Sequence, residues 1–288
     1  MNQIKLFIEL TRLKKPIGYM LLFWPCAWGL TIAYDFSSNL NNYFFYLFLF
    51  FLGSVLMRSA GCIVNDILDK EFDKKVFRTK NRPIASGQIS VKAGIFYAAI
   101  LCLVALFVLL NFNQFTIILA FGSMPLAFTY PLMKRFTYWP QLFLGITFNY
   151  GLILGWTAIK GQIDFVAIIF YLGAIFWTLG YDTIYGYQDI KDDEIIGLKS
   201  TSIKFKGKAR QFLFICYLFL SFFLIIGGYY MKFSSIYFLL LSLPFLHLFF
   251  YQMKIFDLNN PSSCLKAFKS NNLFGLIVFL QILIIKIL

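Results

Sequence analysis

Charge is scarce in this chain. Asp, Glu, Lys and Arg make up only 14% of its 288 residues, while 60% are hydrophobic. A soluble domain of this size needs a polar skin, and so few charges cannot make one. Histidine occurs once, as His247 in "LPFLHLFFY". A lone histidine cannot form a metal cluster, so it reads as a helix residue satisfied within its surroundings. The five cysteines, Cys26, Cys62, Cys102, Cys216 and Cys264, include no C-x-x-C pair. The spacing suggests neither a zinc site nor a disulfide framework, and the cysteines read as small apolar packing residues. The polar–apolar alternation of a porin strand is missing as well. The first residues, "MNQIKLFIELTRLKK", form a basic amphipathic segment without the apolar core or cleavage site of a signal peptide. What is left is an all-α, polytopic membrane protein, one integral-membrane domain over residues 1–288.

Nine apolar segments are expected to span the membrane, at about 17–35, 43–65, 91–110, 114–131, 139–159, 164–186, 211–231, 234–252 and 271–288. The link "NFN" between the third and fourth implies a tight antiparallel hairpin. With the N-terminus in the cytoplasm, 21 of the 26 Lys and Arg fall in the inside segments, and only Lys160, Lys232 and Lys286 lie outside. Arg58 and Lys92 fall within spans. This asymmetry predicts the orientation and assigns the net charge of +13 to topology and anionic lipid, with no nucleic-acid partner. Arg58 must then face the bundle interior and pair there.

The acids are distributed differently. Nine of the 13 lie in two windows. Asp66, Asp69, Glu71 and Asp73 follow the second span, and Asp182, Asp189, Asp192, Asp193 and Glu194 end the sixth. Asp66, Asp69 and Asp73 are spaced to share one helix face, and Asn65 adds an amide oxygen beside them. Asp182, Asp189 and Asp193 share a face if the sixth helix continues. Like charges persist on one face only with a cation between them. Oxygen ligands without His or Cys suit a hard divalent ion such as Mg²⁺, which takes one or two carboxylates and completes its shell from water and substrate phosphate. Basic residues follow each window: Lys74, Lys75, Arg78, Lys80 and Arg82 after the first, Lys199, Lys204 and Lys206 after the second. Acids for a metal beside bases for phosphate make a diphosphate site. A solvated loop is the plain alternative for either window alone, and topology alone can account for the bases. A cation-coupled transporter would place its carboxylates near the bilayer midplane on broken helices. A CDP-alcohol phosphotransferase would carry D-G-x-x-A-R, which is absent here.

"NDILDKEFD" resembles the first aspartate motif, N-D-x-x-D-x-x-x-D, of the UbiA superfamily of intramembrane prenyltransferases, and "YDTIYGYQDIKDD" resembles its second. "KKPIGYMLLFWPCAWGL", "LMRSAGCIVND", "RTKNRPIASG", "YPLMKRFTYWPQLFLG" and "GLKSTSIKFKG" extend the likeness over about residues 12 to 210. The last three spans are low-specificity apolar sequence. The resemblance implies nine helices around a central cavity open to the membrane, with both acidic motifs at its cytoplasmic end in the inner (cytoplasmic) membrane. It is strongest toward the branch that prenylates 4-hydroxybenzoate in ubiquinone synthesis. Other branches would take homogentisate, a naphthoate or haem.

On this resemblance the substrates are a polyprenyl diphosphate and 4-hydroxybenzoate. Asn65, Asp66, Asp69, Asp73, Asp189 and Asp193 hold Mg²⁺ against the diphosphate. Arg78, Lys80, Arg82 and Lys134 take the remaining phosphate charge. Asp182, about two helical turns deeper than Asp189, orients the phenol or draws charge from it. Arg135 is the expected partner of the benzoate carboxylate, and the alternative role for Lys134 and Arg135 is that of plain membrane anchors. Tyr130 and Tyr181 line the pocket or sit in an interfacial belt.

Overall fold

The computed structural model describes residues 3–288, and among these the ordered elements are all helical. A short amphipathic helix α1 (Gln3–Leu10) leads into α2 (Ile17–Ala33) and α3 (Leu40–Leu68). A one-turn helix α4 (Lys70–Asp73) follows directly, then α5 (Val91–Leu109) and α6 (Gln114–Thr129). After a 3₁₀ turn at Tyr130–Leu132 come α7 (Met133–Phe136), α8 (Pro140–Lys160) and α9 (Phe165–Gly186). The short α10 (Ile190–Ile195) and α11 (Thr201–Lys204) precede α12 (Ala209–Tyr230). The next span is broken into α13 (Ser235–Leu240), α14 (Ser242–Leu246), a π-helical turn at His247–Gln252 and α15 (Met253–Ile255). The chain ends in α16 (Pro261–Ile287).

Eight of the described helical stretches are long and apolar enough to cross a membrane, and the 17-residue α2 is the ninth apolar helix. All nine expected segments are therefore helical. α2 falls just short of a full span because Pro16 precedes it and the backbone turns extended at Tyr34. The α5–α6 link is as tight as expected, with Asn113 capping the Thr116 amide. The two helices then take different partners, α5 lying on α3 and α6 on α8.

Large apolar side chains on the periphery, such as Phe44, Phe48, Phe96 and Phe107, remain exposed, as a lipid-facing surface requires. In the interior α2, α8, α9 and α16 pack together. Lipid gives little hydrophobic drive for helix association, so close backbone approach and polar contacts hold these helices. Trp177 donates to Asn271 at 2.8 Å, Trp24 to Asn272 at 2.9 Å and Trp28 to the Gly275 carbonyl at 3.0 Å, which ties α2 and α9 to α16. Gly151 and Gly155 form a G-x-x-x-G on α8. A Cβ at Gly155 would strike the Cys26 carbonyl and the Leu30 amide, both backbone groups of α2. Gly155→Leu should therefore cost about 1–3 kcal/mol of stability, seen as a lower thermal unfolding midpoint in detergent. Gly122→Leu on α6, where a Cβ meets nothing within 4 Å, is the control and should leave the midpoint in place.

Four of the five cysteines are buried and all are free, in keeping with a packing role. His247 departs from expectation. It sits on the π-turn with its Nε2 lacking a hydrogen-bond partner, so it is not fully satisfied. A π-turn shifts the face on which a side chain points, which sequence spacing alone does not show.

Candidate active site

The first acidic window closes α3. The Asp69 amide still bonds the Asn65 carbonyl (2.9 Å) and the Asp73 amide bonds the Asp69 carbonyl (2.8 Å), so the helical spacing carries through into α4. Asp66, Asp69 and Asp73 are accordingly buried together, at 1%, 2% and 7% exposure. Asn65 stands one turn before Asp69, partly exposed. The second window does not run on in the same way. α9 ends at Gly186 and α10 begins only at Ile190, so Asp182, Asp189 and Asp193 do not share one continuous helical face. Gly186, Tyr187 and Gln188 break the register the spacing had implied. Asp189 flanks the N-terminus of α10, and Asp182 stays inside α9.

Protein cations compensate these carboxylates. Arg82 bonds Asp66 (3.0 Å) and Asp73 (2.8 Å), which shows the shared face directly. Lys134 on α7 reaches Asp69 at 2.5 Å. Arg78 grips both oxygens of Asp189 and donates to the Tyr185 hydroxyl at 3.1 Å. The Lys199 amide bonds the Lys134 carbonyl (2.8 Å), which draws the loop after α10 onto α7. The loop after one acidic window is thus pinned to the other, and the two windows face each other as expected. Arg12 was not foreseen. Its guanidinium lies 2.5 Å from Asp66 and 3.4 Å from the Cys62 sulfur.

The other expected cations are placed differently. Lys80 is exposed and lies over the Phe77 ring at 4.6 Å, away from the paired acids. Arg135 stacks on Phe72, donates to the Leu68 carbonyl (2.9 Å) and stands 3.7 Å from Asp69. Lys204 covers Trp139, and Lys206 pairs with Glu194 at the rim.

Among the described residues no three His, Cys, Asp or Glu side chains converge closely enough to hold a metal ion. Asp66, Asp69 and Asp73 in one arm and Asp189 in the other are turned to arginine or lysine. The donor set nevertheless fits a hard divalent cation. It is all oxygen, and the Oδ1 of Asp69 is buried without a hydrogen-bond partner. Burial and neighbouring Asp189 push the Asp193 carboxyl up to about 6, against the pull of Lys134 and Arg78. Burial also raises Asp73, opposed by Arg82 and assisted by Asp66 and Asp69. Carboxyls raised in this way are under-compensated for charge.

Deeper in the bundle lies a second group. Arg58 on α3, Tyr130 at the 3₁₀ turn and Asp182 on α9 are each half-buried and interact electrostatically with one another. α6 runs through Pro125 to Thr129, and Pro131 opens the 3₁₀ turn that follows, which sets Tyr130 at the turn. Tyr130 lies edge-on to Phe148, and the Arg58 guanidinium stands over the same ring at 5.4 Å. Arg58 faces the interior as expected, but its Nε has no partner, so the expected pairing is incomplete. Tyr181 is fully buried and bonded to Thr178 (3.1 Å) in the core, not set in an interfacial belt.

Opposed acidic motifs at one end of a helical membrane protein, with a half-buried polar group deeper in the spans, are the parts an intramembrane enzyme would need to handle an anionic lipid. The UbiA prenyltransferase family model matches residues 22–278, and this chain belongs to that family. It is 44% identical to the mitochondrial 4-hydroxybenzoate polyprenyltransferase of Bos taurus over 279 residues, 96% of this chain and 74% of that protein. A UbiA homolog from Aeropyrum pernix K1, solved without ligand, has the same fold with a TM-score of 0.77 at 22% identity, covering 93% of this chain and 98% of that one. A UbiA homolog from Archaeoglobus fulgidus, solved with GPP and Mg²⁺, aligns with a TM-score of 0.70 at 18% identity over 96% and 99% of the two chains.

Proposed function

We propose that this prenyltransferase moves a polyprenyl group from its diphosphate to the ring carbon ortho to the hydroxyl of 4-hydroxybenzoate, a step of ubiquinone biosynthesis. The observation that carries the acceptor assignment is the half-buried set Arg58, Tyr130 and Asp182, which lies deeper in the spans than the acidic windows. A small planar acid with a phenol at the opposite end needs a cation at one side and a proton acceptor at the other. The relative's activity on 4-hydroxybenzoate, at 44% identity over 96% of this chain, supports the same substrate.

Asn65, Asp66, Asp69 and Asp73 from one arm and Asp189 and Asp193 from the other would hold Mg²⁺. When bound, the metal supplies the positive charge that a departing diphosphate needs. Arg78, Arg82 and Lys134 are already at the acids and lie within reach of phosphate oxygens; Lys80 would have to swing inward to join them. The allylic C–O bond breaks and its electron pair leaves with the diphosphate. The ring carbon forms the new C–C bond and loses its proton. Asp182 takes the phenol proton as the ring attacks, and the proton lost from the ring carbon then restores the hydroxyl, so that one proton leaves with the diphosphate. Phe148, whose ring already carries the Arg58 guanidinium, and Tyr130 edge-on to it would supply apolar surface that keeps water from an allylic cation. Arg58, with an unpartnered Nε, is the better-placed cation for the benzoate carboxylate. Arg135, engaged with Leu68 and Phe72, is the alternative. The Lys and Arg asymmetry supports an inner-membrane protein with its N-terminus and acidic loops in the cytoplasm, and a cavity that receives the prenyl chain laterally from the bilayer.

The test uses membranes carrying the protein, labelled 4-hydroxybenzoate and a polyprenyl diphosphate. Prenylated product should accumulate with Mg²⁺, disappear with EDTA and return when Mg²⁺ is restored. Absence of product, or preference for homogentisate or a naphthoate, overturns the assignment.

A further inference from the structure

Arg12 precedes the first apolar helix by five positions and Asp66 by 54. Its position is built by α1. Leu6 and Leu10 bury themselves against Ile63, Ile84, Ile89 and Ala98, which docks α1 on the acid-bearing end of α3. Thr11 closes the helix by bonding the Phe7 carbonyl at 2.7 Å. The chain then turns through Arg12 with φ at 56°, a left-handed conformation that non-glycine residues rarely adopt. Such a conformation persists only where its surroundings over-determine it, and it concentrates at working sites. Here it delivers the guanidinium into the protein, onto the buried Asp66.

One Asp66 oxygen therefore accepts from two guanidinium groups, Arg12 at 2.5 Å and Arg82 at 3.0 Å. A divalent cation cannot bind that oxygen while both remain in place, because three positive centres would crowd one lone-pair region. Arg82 keeps a second carboxylate, Asp73, at 2.8 Å whether or not it holds Asp66. Asp66 is the one carboxylate that Arg12 holds; its other side-chain contact is the Cys62 sulfur at 3.4 Å. Arg12 also interacts electrostatically with Arg58 and Tyr185. Tyr185 in turn takes a bond from Arg78, the residue that grips Asp189 of the second window.

We propose that Arg12 is a resident counter-ion on Asp66 that divalent metal displaces, and that the displaced guanidinium turns to the prenyl diphosphate. Arg12 thereby couples metal loading to substrate loading. It lowers metal affinity in the empty enzyme and raises diphosphate affinity in the loaded one. The inference rests on the metal-and-diphosphate reading of the site given above.

The experiment measures Mn²⁺ binding to the full-length detergent-solubilised protein by electron paramagnetic resonance, without substrate, and KM for prenyl diphosphate in separate assays. Arg12→Gln should bind Mn²⁺ about tenfold more tightly than wild type, and its KM for prenyl diphosphate should rise about tenfold, the worth of one charge-assisted hydrogen bond in each case. Lys14→Gln removes a neighbouring exposed charge and should change neither quantity. Opposite shifts distinguish a displaced counter-ion from a structural ion pair, whose loss weakens both. Should Arg12→Gln fail to fold, Arg12→Lys serves, with smaller shifts in the same two directions. Unchanged or weaker Mn²⁺ binding in a folded Arg12 variant, beside a wild type that binds Mn²⁺ and transfers prenyl groups, overturns the inference. A wild type that does neither overturns the underlying reading of the site instead.

Discussion

Prenyl transfer in Asp69→Asn should fall by a factor on the order of 10²–10³, with the protein still folded. The substitution keeps shape and removes charge at a side chain that is only 2% exposed. One oxygen of Asp69 has no hydrogen-bond partner and only the Arg135 guanidinium 3.7 Å away, and the other faces the Lys134 ammonium at 2.5 Å. An amide there offers a cation one neutral oxygen where the carboxylate offered charge and two. Stability should change little, because the Lys134 side chain is 26% exposed and can turn to solvent once its partner is neutral. The measurement is kcat/KM per folded protein, checked by size-exclusion chromatography. Activity within about tenfold of wild type at ordinary Mg²⁺ removes Asp69 from the metal site.

The second large effect concerns Arg58. Arg58→Ala should raise KM for 4-hydroxybenzoate about tenfold to a hundredfold and leave KM for the prenyl diphosphate nearly unchanged. Losing a charge-assisted bond in an enclosed site costs on the order of 1.5–3 kcal/mol. Arg58→Lys should recover only part of this, since a point charge replaces a planar fork. Arg135→Ala is the companion variant. Arg135 already bonds the Leu68 carbonyl and stacks on Phe72, so its loss should act on both substrates alike or on protein level. A selective rise in the benzoate KM for Arg135→Ala, with none for Arg58→Ala, would exchange the two assignments. Equal shifts of both KM values in Arg58→Ala would make Arg58 a packing residue.

Much of this site was legible in the sequence because its spacing is local. Asp66, Asp69 and Asp73 recur at helical intervals, α3 runs almost unbroken into α4, and the shared face follows. Arg82 and Lys134 stand near these acids as their loops suggested. Asp182 was placed correctly inside a span, but its register with Asp189 was not, since the helix stops at Gly186. Glycine within an apolar run is weak punctuation, and tertiary contacts decided where α9 ended. Lys80 shows the limit of reading a basic run as a unit: adjacent residues point in different directions, and its side chain covers Phe77. Arg12 was invisible for a different reason. Its pairing spans 54 positions and depends on α1 folding back over α3, which no local pattern encodes.

The unequal lengths of the first helices bear on how substrate finds the enzyme. At about 1.5 Å per residue α2 measures about 25 Å and α3 about 43 Å, against a hydrocarbon slab of about 30 Å. Tilt absorbs part of that excess, and the proposed function sets the remaining turns, at the acid-bearing end of α3, in the headgroup layer. These turns carry Asn65 and Asp66. A lipid whose anionic head floats at that depth while its tail lies in the hydrocarbon is already level with the acids. Its search for the enzyme is then two-dimensional, a lateral drift within one leaflet. Encounter depends on surface density and membrane fluidity, and the concentration of the lipid in bulk water drops out of the rate.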